Sequence, residues 1–120
     1  MFCLFILISC GERKTPTEKE YLKFLNIKVT SAGVDEKNSF CKNFNLTDKQ
    51  AALFFERSHK ITTKTMHDKY DYLPCYVKGT SSLKEMQCEW EVRAGGTAEV
   101  SCGKSNYMLA CNKCDALFKD

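Results

Sequence analysis

Alternating apolar and polar residues in the C-terminal half of the chain predict a small β-sheet. The alternation is clearest at 85–93, where Met86, Cys88, Trp90 and Val92 are separated by polar side chains. A period of two is typical of a strand that has one face on the core. Further strands are predicted at 25–30, 75–80, 97–102 and 107–111, with a loop at 31–38. The strands after residue 75 follow one another closely, which predicts an antiparallel meander.

One segment, 48–61, has helical periodicity. Thr47 is a favourable N-cap and Gln50 lies three residues later, which is the pattern of a capping box. Phe54 and Phe55 lie on the apolar face, and charged side chains lie on the opposite face. The predicted fold class is therefore α+β, a small antiparallel β-meander with one main helix packed on it.

The loop at 94–96 sets the register of the two strands that it joins. If the loop has three residues, Trp90 lies opposite Val100 and Cys88 lies opposite Cys102, so that apolar side chains share one face. Facing Cα atoms in an antiparallel pair are ~4.5–5.5 Å apart, which is within the range that a disulfide tolerates. The register therefore predicts a bond between Cys88 and Cys102.

The next turn is predicted at 103–106. It places Tyr107 opposite Cys102 and Leu109 opposite Val100, on the same apolar face. The predicted helix is expected to cover this face, which gives a domain of two layers.

The N-terminus has a different pattern. Residues 2–8 are all apolar, and a polar run begins after Gly11. An apolar run of this length is too short for a membrane-spanning helix, which needs ~20 residues, but it matches the apolar part of a secretory signal. The positive charge before it comes from the α-amino group of Met1 alone, so a start upstream of Met1 is one alternative. Another is a buried N-terminal strand with Cys3 and Cys10 in the core.

The residues Leu7-Ile8-Ser9-Cys10 resemble the lipobox of bacterial lipoproteins. In that family the cysteine thiol is acylated and the peptide bond before it is cut, so the resemblance implies that Cys10 carries a lipid. It implies a signal peptide at 1–9, removed or truncated, and a lipid-anchored polar tether at 10–20. A single domain at 21–120 follows.

Cysteine content also indicates export. The chain has eight cysteines, and six remain if Cys3 leaves with the signal and Cys10 carries the lipid. In an oxidising compartment, an even number in a small domain indicates disulfides, with fifteen possible connectivities for three bonds. Cys41 is expected to tie the segment before the helix to the sheet or to the C-terminal tail. The cysteines predicted to staple the domain are Cys41, Cys75, Cys88, Cys102, Cys111 and Cys114.

Length and charge limit the number of domains and the classes of partner. A chain of 120 residues has room for one domain. Its net charge of +3 is spread along the sequence without a basic cluster, so a nucleic-acid partner is not expected.

Metal or redox chemistry is a second interpretation of the cysteines. Cys111 and Cys114 form a CxxC motif, and Cys88 and Cys102 are the other candidate thiolate ligands. A zinc ribbon normally has two such motifs, and the chain has one. A thioredoxin-like motif normally opens a long helix, and few residues follow Cys114. Disulfides are therefore the preferred interpretation.

Candidate catalytic groups are few. His67 is followed by Asp68, and a carboxylate beside an imidazole can orient it for metal binding or base catalysis. The segment 67–71 is nevertheless expected to be a solvated loop. The motifs of serine hydrolases, zinc proteases and phosphate-binding loops do not occur. We therefore expect no catalytic residues, no cofactor and no metal.

The predicted function is that of a non-catalytic lipoprotein of the bacterial envelope that binds a protein partner, with immunity proteins and inhibitors as candidate types. It is expected on the periplasmic side of a membrane, in contact with the membrane through the lipid anchor only. One alternative is a structural or assembly lipoprotein of an envelope machine, and another is a metal or redox protein that uses His67 with Cys111 and Cys114. Tyrosine is enriched at interfaces, and the candidates for a recognition surface are Tyr70, Tyr72, Tyr76 and Tyr107.

Overall fold

The computed structural model describes residues 21–35, 41 and 43–118. The predicted signal peptide and tether, with Cys10, lie outside the described residues. The strands are β1 (Leu25–Val34), β2 (His59–Ile61), β3 (Cys75–Leu83), β4 (Met86–Arg93), β5 (Thr97–Cys102) and β6 (Ser105–Ala110), and the helices are α1 (Asp48–Arg57), α2 (Thr63–Lys69) and a 3₁₀ turn (Asp115–Phe118). The six strands form one antiparallel sheet in the order β1-β3-β4-β5-β6-β2. The fold is therefore α+β and mostly sheet.

Helix α1 covers one face of the sheet, which we call the inner face. Its capping box is present: the backbone N–H of Gln50 donates to Thr47 Oγ1 at 3.1 Å, and the N–H of Thr47 donates to Gln50 Oε1 at 2.8 Å. Phe54 and Phe55 are buried. The ring of Phe55 meets Trp90 of β4 edge to face, with 5.2 Å between centroids. This packing fixes the helix over the middle of the meander.

Helix α1 ends at Arg57, so the predicted helix over 48–61 is too long. Ser58 has extended backbone angles, and its hydroxyl donates to the carbonyl of Phe55 at 3.0 Å. The next three residues form β2, in which His59 lies opposite Ala110 of β6. The apolar period alone does not reveal this end, because Ile61 continues the helical face while the pairing with β6 is long-range.

A second helix, α2, includes residues 67–69 of the solvated loop predicted at 67–71, so the expectation of one main helix is not confirmed. The side chain of Thr62 caps it by accepting from the N–H of Thr65 at 3.0 Å. Thr63 lies 3.5 Å from the sulfur of Met108, which is on the face of β6 opposite α1. Helix α2 therefore lies on the outer face of the sheet, on the crossover from β2 to β3.

Strand β1 is longer than predicted. It continues through residues expected in a loop and ends at Val34, which lies opposite Cys75. Its pairing with β3 is interrupted by two register irregularities. At one of them the N–H of Val29 donates to the carboxylate of Asp48 at 2.8 Å. Strand β3 supplies the partner that the local sequence does not show, because the two strands are far apart in the chain.

The predicted register of β4 and β5 is confirmed, with Trp90 opposite Val100 and Cys88 opposite Cys102. The register of β6 is wrong by two residues, because Val100 lies opposite Tyr107. The turn consists of Gly103 and Lys104 alone, and Gly103 has a φ of +60°. A two-residue hairpin turn favours such positive φ angles.

The described cysteines form three disulfides. Cys41 bonds to Cys75 and ties the segment before α1 to the start of β3. Cys88 bonds to Cys102, as the register predicts, and their Cα atoms are 4.2 Å apart, slightly closer than the expected distance. The third bond is local and joins Cys111 to Cys114.

Candidate protein-binding surface

Arg93, at the end of β4, organises the outer face of the sheet. It lies opposite Tyr76, the second residue of β3. Its Nη1 atom donates to Asp35 Oδ2 at 2.8 Å and to the carbonyl of Leu73 at 3.2 Å. Its Nη2 atom lies 2.5 Å from Glu91 Oε2. These partners hold a side chain that is only 12% exposed in one orientation.

Two tyrosine rings lie on this guanidinium. Arg93 Cζ is 4.5 Å from the centroid of the Tyr72 ring and 5.1 Å from that of Tyr76. Both distances are within the range of a cation–π contact. Tyr72 is nevertheless 67% exposed, so most of its surface faces solvent. Lys78 makes a further cation–π contact, since its Nζ atom lies 5.1 Å from the centroid of the Tyr76 ring. We call Tyr72, Tyr76, Lys78 and Arg93 the tyrosine–arginine surface.

The charges of this surface are set by its neighbours. Burial raises the pKa of Tyr72, the positive charge of Arg93 lowers it, and the carboxylate of Asp35 raises it; the net shift is upward. Burial lowers the pKa of Arg93, but the hydrogen bond to Asp35 and the charge of Glu91 outweigh that effect and raise it. Arg93 is therefore a permanent cation, and Tyr72 is a neutral phenol at physiological pH.

Acidic side chains adjoin the tyrosine–arginine surface on the same face. Glu91 lies 3.9 Å from Lys78 Nζ and faces Glu99 across the β4–β5 ladder. Glu89 and Glu99 are exposed. The outer face thus combines an aromatic and cationic end with an acidic flank.

The structure brings together two of the four tyrosines that the sequence offers as a recognition surface. Tyr72 and Tyr76 meet at Arg93. The hydroxyl of Tyr70 donates instead to Asn112 Oδ1, and the ring of Tyr107 lies 5.5 Å from Lys60 Nζ. Arg93 itself is missing from the sequence-based candidates. The alternation in β4 places it on the polar face, but its role depends on the pairing with β3.

The histidine candidate is exposed on α2. His67 and Asp68 both face solvent, and Asp68 forms a 2.6 Å ion pair with Lys64 one turn earlier. In the part of the chain that the structure describes, no group of three or more His, Cys, Asp or Glu side chains is placed to hold a metal ion.

The four cysteines considered as zinc ligands form two separate disulfides, Cys88–Cys102 and Cys111–Cys114. All four are buried. A sulfur in a disulfide is not a thiolate, so this oxidised arrangement does not supply the ligands that the alternative zinc interpretation requires.

Within the described residues, no helix is both long and apolar enough to cross a bilayer. No protein-family profile, curated protein or solved structure matches the chain.

Proposed function

We propose that the chain is a non-catalytic envelope lipoprotein that binds a protein partner through the tyrosine–arginine surface. The observation that carries this proposal is the exposed ring of Tyr72 held against Arg93, whose guanidinium is largely covered and contacts Asp35, Glu91 and the Leu73 carbonyl. Tyrosine and arginine are enriched among the residues that dominate binding energy at protein interfaces.

Preorganisation is the physical reason why this surface suits binding. Ordering a side chain at an interface costs about 0.5–1.5 kcal/mol. The hydrogen bonds of Arg93 to Asp35 and to the Leu73 carbonyl already fix the guanidinium in the free protein. The guanidinium in turn fixes the Tyr72 ring, so most of this cost is met before the partner arrives.

The flanking charges indicate the kind of partner. Glu89 and Glu99 are exposed on the same face and lie next to Glu91, at the end of the surface away from Tyr72. A protein with basic side chains around an apolar or aromatic contact is complementary to this arrangement, and complementary charges speed encounter and fix orientation. Occlusion of such a partner, as by an immunity protein or an inhibitor, requires no catalytic group on this chain.

The disulfides support export, since such bonds persist in oxidising compartments. The lipobox-like residues 7–10 support attachment through Cys10 on the periplasmic side of a bacterial membrane. Cys10→Ala should move the protein from the membrane fraction to the soluble periplasm or block its processing. Unchanged membrane association, without acyl label on the natural chain, would contradict the anchor.

Site-specific crosslinking tests the binding surface. A photoreactive amino acid at position 72 should give a discrete adduct with one envelope protein in living cells. The same amino acid at Lys104, in the β5–β6 turn, is the control and should give none. Arg93→Gln in the position-72 background should reduce the adduct by about tenfold, because the ring loses its support. Equal adducts from both positions, or none from position 72, would contradict the proposal.

A further inference from the structure

Two cavities have Tyr21 in their walls, and neither is lined by a residue of the tyrosine–arginine surface. The first has a volume of about 510 Å³ and the second about 500 Å³. Both volumes are within the range of small-molecule sites. Tyr21 lines both, so the two cavities adjoin each other. The described side chains that line them differ in type.

The first cavity is lined by hydrogen-bond donors and cations. Its described lining consists of Tyr21, Arg57, His59, Asn112 and Lys113, with no carboxylate among them. Arg57 closes the last turn of α1, and its guanidinium forms no ion pair with any described residue. The same holds for Lys113 within the described chain. These two cations therefore favour an anionic ligand group.

The backbone around the first cavity is held in place. Asn112 and Lys113 lie in the short loop closed by the Cys111–Cys114 disulfide. Because the hydroxyl of Tyr70 donates to Asn112 Oδ1, the amide nitrogen of Asn112 remains a donor for a ligand. His59 is buried, and the ring of Tyr21 lies edge-on to it at 6.2 Å. The donors thus come from three different parts of the chain, α1, β2 and the disulfide-closed loop, around one space.

Most of the described residues that line the second cavity have apolar side chains. This cavity lies between the segment before β1 and helix α1, and Phe24 and Phe55 meet edge to face in its wall, 5.3 Å apart. Its apolar lining consists of Leu22, Phe24, Ile27, Ala52 and Phe55, and Lys23 and Glu56 also line it. An alkyl chain removed from water gains about 0.8 kcal/mol for each buried methylene group.

We propose that the paired cavities bind an anionic amphiphile with a single acyl chain. The carboxylate or phosphate of the ligand lies between Arg57 and Lys113, and the acyl chain passes Tyr21 into the cavity under Phe55. A fatty acid and a lysophospholipid share this chemistry. The inference goes beyond the binding of a protein partner and does not rest on it, because the cavities and the tyrosine–arginine surface share no residue.

Calorimetric titration of the full chain, oxidised and carrying Cys10→Ala to keep it free of attached lipid, tests the proposal. Dodecanoate, below its micelle concentration, should bind saturably with one site. Dodecyltrimethylammonium has the same alkyl chain with a cationic head, and should bind at least tenfold more weakly. Equal affinity for the two probes, or no saturable binding of dodecanoate, would overturn the proposal.

Variants assign the two ends of the ligand. The double variant Arg57→Gln, Lys113→Gln should weaken dodecanoate binding by tenfold or more. The matched double variant Lys49→Gln, Lys104→Gln removes the same charge elsewhere and should bind as the parent does. Ala52→Trp fills the second cavity and should abolish binding, with an unchanged circular dichroism spectrum and melting curve as the control for folding. Parent-like binding by either cavity variant would overturn the assignment.

One further probe, lauroyl lysophosphatidylglycerol, distinguishes the sources of the ligand. Tighter binding of dodecanoate than of lauroyl lysophosphatidylglycerol would assign a fatty acid, and the reverse order would assign a lysophospholipid. Binding of both at equal strength would support a site that recognises only the negative charge and the acyl chain of the ligand. Binding of neither would overturn the proposal.

Discussion

The guanidinium of Arg93 lies 4.5 Å from the centroid of the Tyr72 ring, and Asp35 contacts both side chains. Arg93 Nη1 donates to Asp35 Oδ2 at 2.8 Å, and the Tyr72 hydroxyl lies 3.4 Å from the same oxygen. A cation, an aromatic ring and a carboxylate therefore form one closed group on the outer face of the sheet. Its members change one another's electrostatics, so the group can be tested by titration.

Titration of Tyr72 should respond in opposite directions to the loss of its two neighbours. Asp35→Asn should lower the pKa of Tyr72, because the carboxylate raises it. Arg93→Gln should raise that pKa, because the guanidinium lowers it. Ultraviolet or NMR titration, with Tyr72→Phe used to assign the signal, measures both shifts. Shifts in the same direction would contradict the geometry of the group.

The disulfides should stabilise the fold in the order of the loops they close. Their sequence separations are 34 for Cys41–Cys75, 14 for Cys88–Cys102 and 3 for Cys111–Cys114. By the chain-entropy model, removal of each bond as a pair of alanines should lower the free energy of unfolding by about 4, 3 and 2 kcal/mol in that order. Urea unfolding of the three double variants measures the values. A larger loss for the shortest loop than for the longest would show that native packing, and not chain entropy, dominates.

Local patterns predict the meander well because its pairing is local. For β4 and β5, the length of the turn decides the register. Only a three-residue loop places the apolar side chains of both strands on the same face. The same apolar pattern predicts the wrong register for β6, because Ser105, and not Tyr107, lies opposite Cys102. A shift of two residues keeps every side chain on its face, so the apolar pattern does not distinguish the two registers.

Long-range strand pairing explains most of the other differences between the predicted and the observed secondary structure. Ser58 ends α1 and allows β2 to pair with β6, although the apolar positions continue to Ile61. Strand β1 extends to Val34 because β3 lies beside it. Neither partner is visible in a local sequence window.

Only part of the candidate surface can be predicted from the sequence. The sequence offers the tyrosines as candidates, but it does not show that Tyr72 contacts Arg93. That contact forms because residues 62–74 cross over the sheet between β2 and β3. Helix α2 has a local signal that explains part of this path, the Thr62 cap with the Lys64–Asp68 pair. The cavities beside Tyr21 have no such signal, because their walls come from distant segments of the chain.

Ser81→Ala should stabilise the protein. The hydroxyl of Ser81 is buried on the inner face opposite Cys88, and it has no hydrogen-bond partner among the described residues. An unsatisfied buried polar group costs about 1–3 kcal/mol. Its removal should raise the free energy of unfolding by about 1 kcal/mol, after the small loss of packing around the missing oxygen.

Chemical unfolding of Ser81→Ala with the disulfides intact measures this change. Ser101→Ala is the matched control: its hydroxyl is exposed on β5 and donates to Asn106 Oδ1 at 2.8 Å. That substitution should change stability by less than about 0.5 kcal/mol. A loss of stability in Ser81→Ala would show that the hydroxyl has a partner, such as a buried water molecule.

Gly79→Ala should be the most damaging single methyl addition in the sheet. A Cβ atom at Gly79 would lie 2.0 Å from the carbonyl oxygen of Lys28 in β1 and 2.2 Å from the indole of Trp90 in β4. The indole cannot move aside freely, because its Nε1 atom donates to the carbonyl of Thr80 at 2.8 Å and its ring packs against Phe55. Overpacking in a core typically costs about 1–3 kcal/mol, and here both obstacles are fixed. We expect a loss of about 3 kcal/mol or more in urea unfolding, with the amides of β1 exchanging faster than those of β5.

Lys78→Ala, on the outer face of the same strand, is the control. It should cost less than about 1 kcal/mol, since its ion pair with Glu91 is exposed. Equal losses from the two substitutions would mean that β1 does not lie against β3 as closely as the structure shows.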